Sequence, residues 1–410
     1  MENKNLEAYY GLPADVQFCK NCVISNQRPS STIEFKNKKS TLKDVIHFNS
    51  DGVCDACSFH TDKHHSIDWD HKERQLEELL AKYRSSDGSY DVLVPGSGGK
   101  DSAFAAHVLK YKYKMNPLTV TWAPHLYTNI GFENFQNWMH EGGLDNILYT
   151  PNGKLHRQMT RNAFHNMMHP FQPFIIGQKI IGPAMALKFG IKLVMYGENQ
   201  AEDGNAIVEN KSETMNSNFF ALENKFDMRF GDVLMQEYID EYGFNESDFN
   251  AYIPPSPKEI IDAGVTTHYL GYYLKWDPQE NYYYATENTG FKAGSERTEG
   301  SSTKYSGIDD KIDPFHYYTT LIKFGIGRCS YDTSTEIRNH QITRDEGVYL
   351  VKKYDTEFPS KYFQEFLKYI STSEDEFWKL IDKHRSPHLW KKIGKEWFLR
   401  HNVSNDGADD

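Results

Sequence analysis

Asp91-Val-Leu-Val-Pro-Gly96 is a short apolar run closed by a turn, and Ser97-Gly-Gly-Lys-Asp-Ser102 follows it at once. Ala103-Phe-Ala-Ala-His-Val-Leu-Lys110 then reads as a helix. A buried strand that runs through a glycine loop into a helix N-terminus is a geometry that binds phosphate. Gly96, Gly98 and Gly99 let backbone N–H groups approach an anion, and the helix dipole favours negative charge there. Ser97 and Ser102 add hydroxyl donors. Asp101 is out of place in a bare phosphate site, but it fits if it holds a magnesium ion or a loop amide. The segment is not a Walker A loop, because Lys100 is followed by Asp101, and it is not the dinucleotide fingerprint G-x-G-x-x-G either.

The flanking pattern places this loop in a parallel sheet. Pro117-Leu-Thr-Val-Thr-Trp122 reads as a second strand, Leu144 to Thr150 as a third, Gln178 to Phe189 as a buried helix and Ile191 to Tyr196 as a fourth strand. Strands alternating with helices of this length give a parallel α/β sheet with helices on both faces. Ligands bind such sheets beyond the C-terminal strand ends. The loop at Ser97, the strand end Thr121-Trp122 and the strand end Gly197-Glu198-Asn199 should therefore converge. Trp122 reads equally well as a core residue.

Cys19-x-x-Cys22 and Cys54-x-x-Cys57 are two tight knuckles that offer four thiolates, the tetrahedral set that structural zinc prefers. The stretch between them, with Thr32-Ile-Glu-Phe35, Val45-Ile-His-Phe48 and an Asp51-Gly52 turn, predicts short strands as in a zinc ribbon. The alternatives are two redox dithiols or small buried residues, and Phe18-Cys19 lacks the strand-then-helix context of a redox pair. His60, His64 and His65 read as solvated linker. A closed four-sulfur shell has no open position, so the site is expected to be structural.

The chain has 410 residues, and its net charge of −11 argues against an extended nucleic-acid surface. No apolar run is long enough to span a bilayer, and the polar start lacks a signal-peptide pattern, so no membrane association and a cytoplasmic location are expected. Five cysteines, an odd number, argue against a disulfide framework.

At SGGKDS after an apolar strand, the chain resembles the PP-loop ATP pyrophosphatases, a superfamily that includes GMP, NAD and argininosuccinate synthetases and tRNA thiolases and cleaves ATP between its α and β phosphates. The resemblance narrows with the Cys₄ knuckles, with PGSGGKDS and Tyr196-Gly-Glu-Asn-Gln-Ala-Glu-Asp-Gly204, and with Leu270 to Pro278. It continues through Glu287 to Phe291, Glu296 to Gly300, Asp309 to Tyr318 and Lys323-Phe-Gly-Ile-Gly-Arg328. Together these resemble the N-acetyl sugar amidotransferases of bacterial surface-polysaccharide and flagellin-glycan biosynthesis, over roughly residues 15 to 385. Cys329 departs from the pattern, where a small residue such as Ala is expected.

The resemblance implies a zinc-ribbon-like module at 1–66 and a PP-loop (adenine nucleotide α-hydrolase-like) domain at 67–265. A substrate- and partner-binding region with C-terminal helices would follow at 266–401, then a disordered tail at 402–410. It implies ATP, Mg²⁺ and structural Zn²⁺ held by Cys19, Cys22, Cys54 and Cys57. Catalytic roles would fall to Ser97, Lys100, Asp101, Ser102 and Glu198. Pro95, Gly96, Ser97, Gly98, Gly99, Asp101, Ser102, Thr121, Trp122, Gly197 and Asn199 would bind the nucleotide. The implied reaction adenylates an acetamido carbonyl of a nucleotide-linked or nonulosonic sugar and lets ammonia displace AMP, leaving an acetamidino group.

No glutaminase is expected within this chain. Residue 2 is Glu, four cysteines read as ligands, and Gly-Arg-Cys329-Ser is not a nucleophile elbow. A separate glutaminase is implied as partner, similar to that of imidazole glycerol phosphate synthase, with a channel-forming synthase-like subunit. Lys275, Asp277, Arg297, Glu299 and Arg328 are polar residues in apolar or Gly-rich blocks and are candidate sugar contacts. The tyrosines of 268–291 suit sugar rings, but read more simply as a period-2 aromatic strand pair in a core. Residues 360–370, 373–384 and 388–399 read as helices, with capping patterns at Thr343 and Ser373. A tRNA-modifying sulfur transferase and a non-catalytic nucleotide-binding scaffold are the rival readings.

Overall fold

The computed structural model describes residues 6–204 and 212–405. Five parallel strands form the central sheet: β1 (Val92–Pro95), β2 (Pro117–Trp122), β3 (Asp145–Tyr149), β4 (Leu193–Tyr196) and a fifth strand, Thr266–Tyr269. Their order is β3-β2-β1-β4-fifth. All residues of β1 and β2 are buried, as expected for a parallel strand covered on both faces. Alternate residues feed opposite cores. Leu93 and Val194 pack on one side with the helix Gln172–Phe189 and the C-terminal helices. Val92, Val94, Leu193 and Met195 pack on the other with Leu76, Leu80, Ala106 and Trp138.

The order reverses between β1 and β4. Chain growth proceeds outward from β1 on one side and from β4 on the other, so the crevice beyond these two strand ends is the topological switch point where such sheets bind ligands. The 97–102 loop leaves β1 there, and Gly197-Glu198 leaves β4 beside it.

Several expectations are corrected. The fifth strand lies in the sheet, beyond the boundary expected at residue 265. Residues 268–291 hold no aromatic strand pair. After Tyr269 the chain forms the short helix Leu270–Tyr273 and then the helix Pro278–Thr289, which Asp277 caps and Pro278 opens. Residues 388–399 are not helical but form a hairpin, Trp390–Ile393 with Glu396–Leu399, in which Gly394 at φ +63° supplies the turn conformation that the two-residue loop needs.

The helices expected at 360–370 and 373–384 appear as Phe363–Tyr369 and Glu374–Lys383. Of the expected tail, Val403–Asn405 forms a single 3₁₀ turn with Val403 buried, and 406–410 lie outside the described residues. The polar start, at residues 1–5, also lies outside them. No helix among the described residues is long and apolar enough to cross a membrane.

The two cysteine knuckles come together as expected, but the stretch between them differs. Its expected strands are replaced by the 3₁₀ turn Glu34–Lys36 and by isolated bridges at Phe18–Ser25, Pro29–Val45 and Phe48–Cys54. Phe35 packs into the main core whereas Ile46 packs with the cysteines, so the two segments serve different cores and form no continuous ladder. The second knuckle opens the helix α1 (Asp55–His65), and the helix α2 (Trp69–Tyr83) follows it. His60 is therefore not solvated linker but buried.

Candidate functional site

Two cavities meet at the 97–102 loop. The smaller, of about 250 Å³, is lined by Pro95, Gly96, Ser97, Trp122, Tyr196 and Asp309, among others. The larger, of about 460 Å³, is lined by Ser97, Gly99, Lys100, Asp101, Glu198 and Arg328, with Asp309 again on its wall. Ser97 and Asp309 thus face both spaces.

The loop's shape follows from its glycines. Gly98 adopts φ +82°, and a Cβ there would lie 2.9 Å from Phe135 Cα. A Cβ on Gly96 would lie 2.3 Å from Ser102 Cβ. Gly99 then caps the helix α3 (Lys100–Tyr111), and Ser102 Oγ donates to Gly99 O at 3.1 Å. Lys100 pairs with Asp101, whose second oxygen accepts from Asn281 Nδ2 at 3.0 Å. The Asp101 carboxylate is therefore held between α3 and the helix Pro278–Thr289.

The larger cavity is acidic, with Asp101, Glu198, Glu202, Asp203, Asp309, Asp332 and Glu336 against Arg28, Lys100 and Arg328. Glu198 stays accessible from the cavity, yet the surrounding protein and the carboxylates of Asp101 and Asp203 push its carboxyl up to about 8. Burial, Asp313 and Asp310 raise Asp309 to about 6, against a hydrogen bond from Ser97. Burial and Asp332 raise Glu336 to about 7. Such a wall favours cationic groups, and it accepts a polyphosphate only with accompanying cations.

The remaining expected residues separate by position. Trp122 is buried at the floor of the smaller cavity, and a Cβ on Gly177 would lie 2.1 Å from its ring. Thr121 is buried in β2, where its hydroxyl accepts from Asn146. Gly197 packs on Trp276, and Asn199 is buried and caps the turn Gln200–Asp203. Thr121, Gly197 and Asn199 line neither cavity.

Of the five sugar-contact candidates only Arg328 lines the large cavity, where it pairs with Asp313 and lies over the Tyr317 ring. Lys275 is exposed outside it, and Asp277 is committed to its helix cap and to Gln341. Arg297 makes a two-pronged pair with Glu357 at 2.6 Å, and Glu299 accepts from Ser360 and Lys361. Asp277, Arg297 and Glu299 are tied up by structure, and neither they nor Lys275 line either cavity.

The residues missed are the acids of the 309–313 segment, together with Asn281, Asp332 and Glu336. Their signal was local at most, three acids within Asp309 to Asp313 and Asp332 and Glu336 four apart on one helix, with nothing in the sequence to place them beside Ser97.

The four cysteines are buried, and their sulfurs lie within 4.8 Å of one another, the single such grouping of His, Cys, Asp and Glu ligand atoms among the described residues. Cys19–Cys57 and Cys22–Cys54 sulfurs stand 3.8 Å apart. That matches the edge of a tetrahedron with metal–sulfur bonds of about 2.3 Å and far exceeds a disulfide at about 2.05 Å. Backbone N–H groups of Asn21 and Cys54 point at Cys19 Sγ at 3.4 and 3.3 Å. The donor set fits a closed metal site. Cys329 is buried apart from it, and burial raises its thiol, so it is no activated nucleophile.

This module is tied to the cavity. His60 Nε2 and Lys63 Nζ, both on α1, lie 2.9 and 2.8 Å from Glu202 Oε2, and Lys63 also bonds Trp276 O and Asn339 Oδ1. Arg344 donates to the Cys19 and Cys22 carbonyls at 3.2 Å. A Cβ on Gly204 would lie 2.4 Å from Ala56 N, so the 198–204 segment is pressed against the second knuckle.

Residues 299–402 match the family model described as LPS biosynthesis protein WbpG-like, C-terminal domain. An uncharacterized protein, MJ1599, of Methanocaldococcus jannaschii is 32% identical over 81 residues, which is 20% of this chain and 28% of that protein's length. Among solved structures, the U34-tRNA thiolase NcsA of Methanococcus maripaludis with its [4Fe-4S] cluster is 14% identical at a TM-score of 0.30, covering 66% of this chain and 79% of its own. The NH3-dependent NAD synthetase of Campylobacter jejuni, in complex with the nitrate ion, is 13% identical at 0.28, covering 48% and 92%. The NMN synthetase of Francisella tularensis is 12% identical at 0.27, covering 76% and 97%.

Proposed function

We propose that the chain is an ATP-dependent amidotransferase of bacterial surface-glycan biosynthesis, acting on the acetamido group of an N-acetylated sugar. The observation that carries this reading is the shared wall. Ser97 and Asp309 border both cavities, so a nucleotide with its base against Trp122 would lay its phosphates over the 97–102 loop and present its α-phosphorus to the larger space. The match of residues 299–402, which supply much of that larger wall, supports a surface-glycan acceptor.

In the proposed reaction the acetamido oxygen attacks the α-phosphorus, and the bond to the β-phosphate breaks. Pyrophosphate leaves from over the loop, where N–H groups and the α3 N-terminus stabilise the charge that develops. Ammonia adds to the resulting imidate carbon, one proton is lost, and AMP departs with the former acetamido oxygen. The product is an amidinium cation, which the carboxylates of the cavity favour. Glu336, on that wall and with its carboxyl near 7, accepts the proton.

Mg²⁺ in such sites is held by one or two carboxylates plus the phosphates, and Asp101 and Asp309 would supply them. When bound it neutralises phosphate charge. The four-cysteine site would hold zinc. Ammonia would come from a separate glutaminase, since Cys329 is buried and the other four cysteines form the metal set. The same absence of an activated cysteine disfavours sulfur transfer.

The test is to incubate the protein with ATP, magnesium, ammonium and a panel of acetamido sugars, free and nucleotide-linked. AMP release should occur together with replacement of one sugar oxygen by NH in the mass spectrum. AMP and pyrophosphate without a changed sugar would move the acceptor elsewhere, with tRNA next to be tried.

A further inference from the structure

A third cavity, of about 480 Å³, lies away from the PP-loop, where residues 7–11 and 37–43 pack against the ends of the helices Gly153–Met167, Asp313–Phe324 and Glu374–Lys383. Its charge runs against that of the molecule. The chain carries a net −11, yet Lys38, Lys39, Lys43, Lys323 and Lys383 all line this one space, with Glu7 as the single carboxylate. None of the five lysines has a carboxylate within 4.0 Å among the described residues, although nineteen ion pairs form elsewhere.

Lys323 is the telling member, because it is only 8% exposed. Its Nζ donates to Met167 O at 3.1 Å and lies near the Tyr10 and Phe324 rings, 5.8 and 4.9 Å from their centroids. Those contacts orient the ammonium but do not neutralise it. Buried lysines are almost always paired, because a desolvated charge without a counter-charge is costly. Burial and the nearby Lys43 push Lys323 down to about 7, and the Glu34 carboxylate offsets only part of that. Lys43 donates to the neutral oxygens Thr32 Oγ1 at 3.5 Å and Asn37 Oδ1 at 3.4 Å, and the Glu34 carboxylate behind them raises it against the burial that pulls it down.

We propose that this cavity is a second ligand site, distinct from the PP-loop, that binds a phosphate-type dianion with Lys323 and Lys43 at its floor and Lys38, Lys39 and Lys383 at its rim. The ligand adds counter-charge to that of Glu34, the one carboxylate that acts on both Lys43 and Lys323, from outside the cavity lining. The Tyr9, Tyr10 and Phe324 surfaces beside the lysines leave room for an organic group on the phosphate.

The experiment titrates the full chain with inorganic phosphate and, separately, with phenyl phosphate, by calorimetry. The Lys323→Met variant, which keeps the side-chain length, and the rim variant Lys38→Ala/Lys383→Ala are compared with wild type. Loss of a charge-assisted contact should weaken this site about tenfold or more in Lys323→Met, and by less in the rim variant. Lys323→Met should also melt higher than wild type without ligand, since it removes a buried charge that Glu34 compensates only in part. Equal binding of the two probes identifies free phosphate as the ligand class, and tighter phenyl phosphate identifies an organophosphate. Phosphate binding that is absent, or unchanged in both variants, overturns the proposal, because any binding then belongs to the PP-loop alone.

Discussion

Glu202→Leu tests how the cysteine module is joined to the cavity. Lys63 is fully enclosed, and its charge is balanced by Glu202 Oε2 at 2.8 Å, which His60 also meets at 2.9 Å. Burial pulls the lysine down and Glu202 raises it again. Removing one partner of a buried pair costs about 3–5 kcal/mol, because the other charge is left desolvated. With an unfolding entropy of about 2.1 cal/mol/K per residue, a chain of 410 residues loses about 3–6 °C of Tm for that change. Glu202→Gln, which keeps an acceptor but not the charge, should lose less. Lys63→Met combined with Glu202→Leu should recover more than half of the loss, since an apolar pair avoids the desolvation cost. Calorimetric melting measures wild type, these three variants and Lys63→Met alone. A Glu202→Leu midpoint within about 1 °C of wild type, or a double variant worse than the sum of the singles, would refute the idea that this pair carries the junction.

Other predictions follow from the same geometry. Asp101→Ala should abolish AMP release in the acetamido-sugar assay while leaving Tm and metal content unchanged, and normal turnover would remove Asp101 from the site. Gly177→Ala should raise the KM for ATP more than it lowers kcat, because its methyl displaces the Trp122 ring from the smaller cavity. Elemental analysis should find one zinc per chain, lost in Cys54→Ser and retained in Cys329→Ser, whose thiol lies outside the sulfur cluster. Glu198 titrates near 8 in the folded chain against an ordinary 4.5, so the folded state binds the extra proton and stability falls as pH rises between these values. Glu198→Gln should therefore flatten the decline in Tm between about pH 5 and 9, and an identical pH profile would show that Glu198 is not perturbed.

The parallel core was readable because β1 and β4 are continuous apolar runs and β2 sets its two threonines among Leu118, Val120 and Trp122, a pattern that two covered faces allow. The fifth strand, Thr266-Thr-His-Tyr269, carries two threonines and a histidine. His268 becomes tolerable only by bonding the Tyr273 hydroxyl, a tertiary fact that no window of sequence contains. Trp390 to Leu399 has apolar residues compatible with one helix face, and only the φ +63° of Gly394 decides for a hairpin.

At the site, the loop from Ser97 to Ser102 was legible because its glycines and hydroxyls are local requirements. Asp309 was not, since it reaches Ser97 through a segment more than two hundred residues later in the chain. Arg297 and Glu299 looked functional because a charged residue in a glycine-rich block has no visible partner in sequence. Glu357 and Ser360 supply those partners in space. His60 was misjudged for the same reason, since Glu202 lies on another element.

The most direct test of the proposed chemistry is to label the acetamido oxygen of an accepted sugar with heavy oxygen and to follow the label by mass spectrometry after turnover with ATP, magnesium and ammonium. Attack of that oxygen on the α-phosphorus predicts that the label leaves the sugar and appears in AMP, with none in pyrophosphate. Label retained in the sugar, or found in pyrophosphate, would contradict activation by adenylation at the wall formed by Ser97 and Asp309.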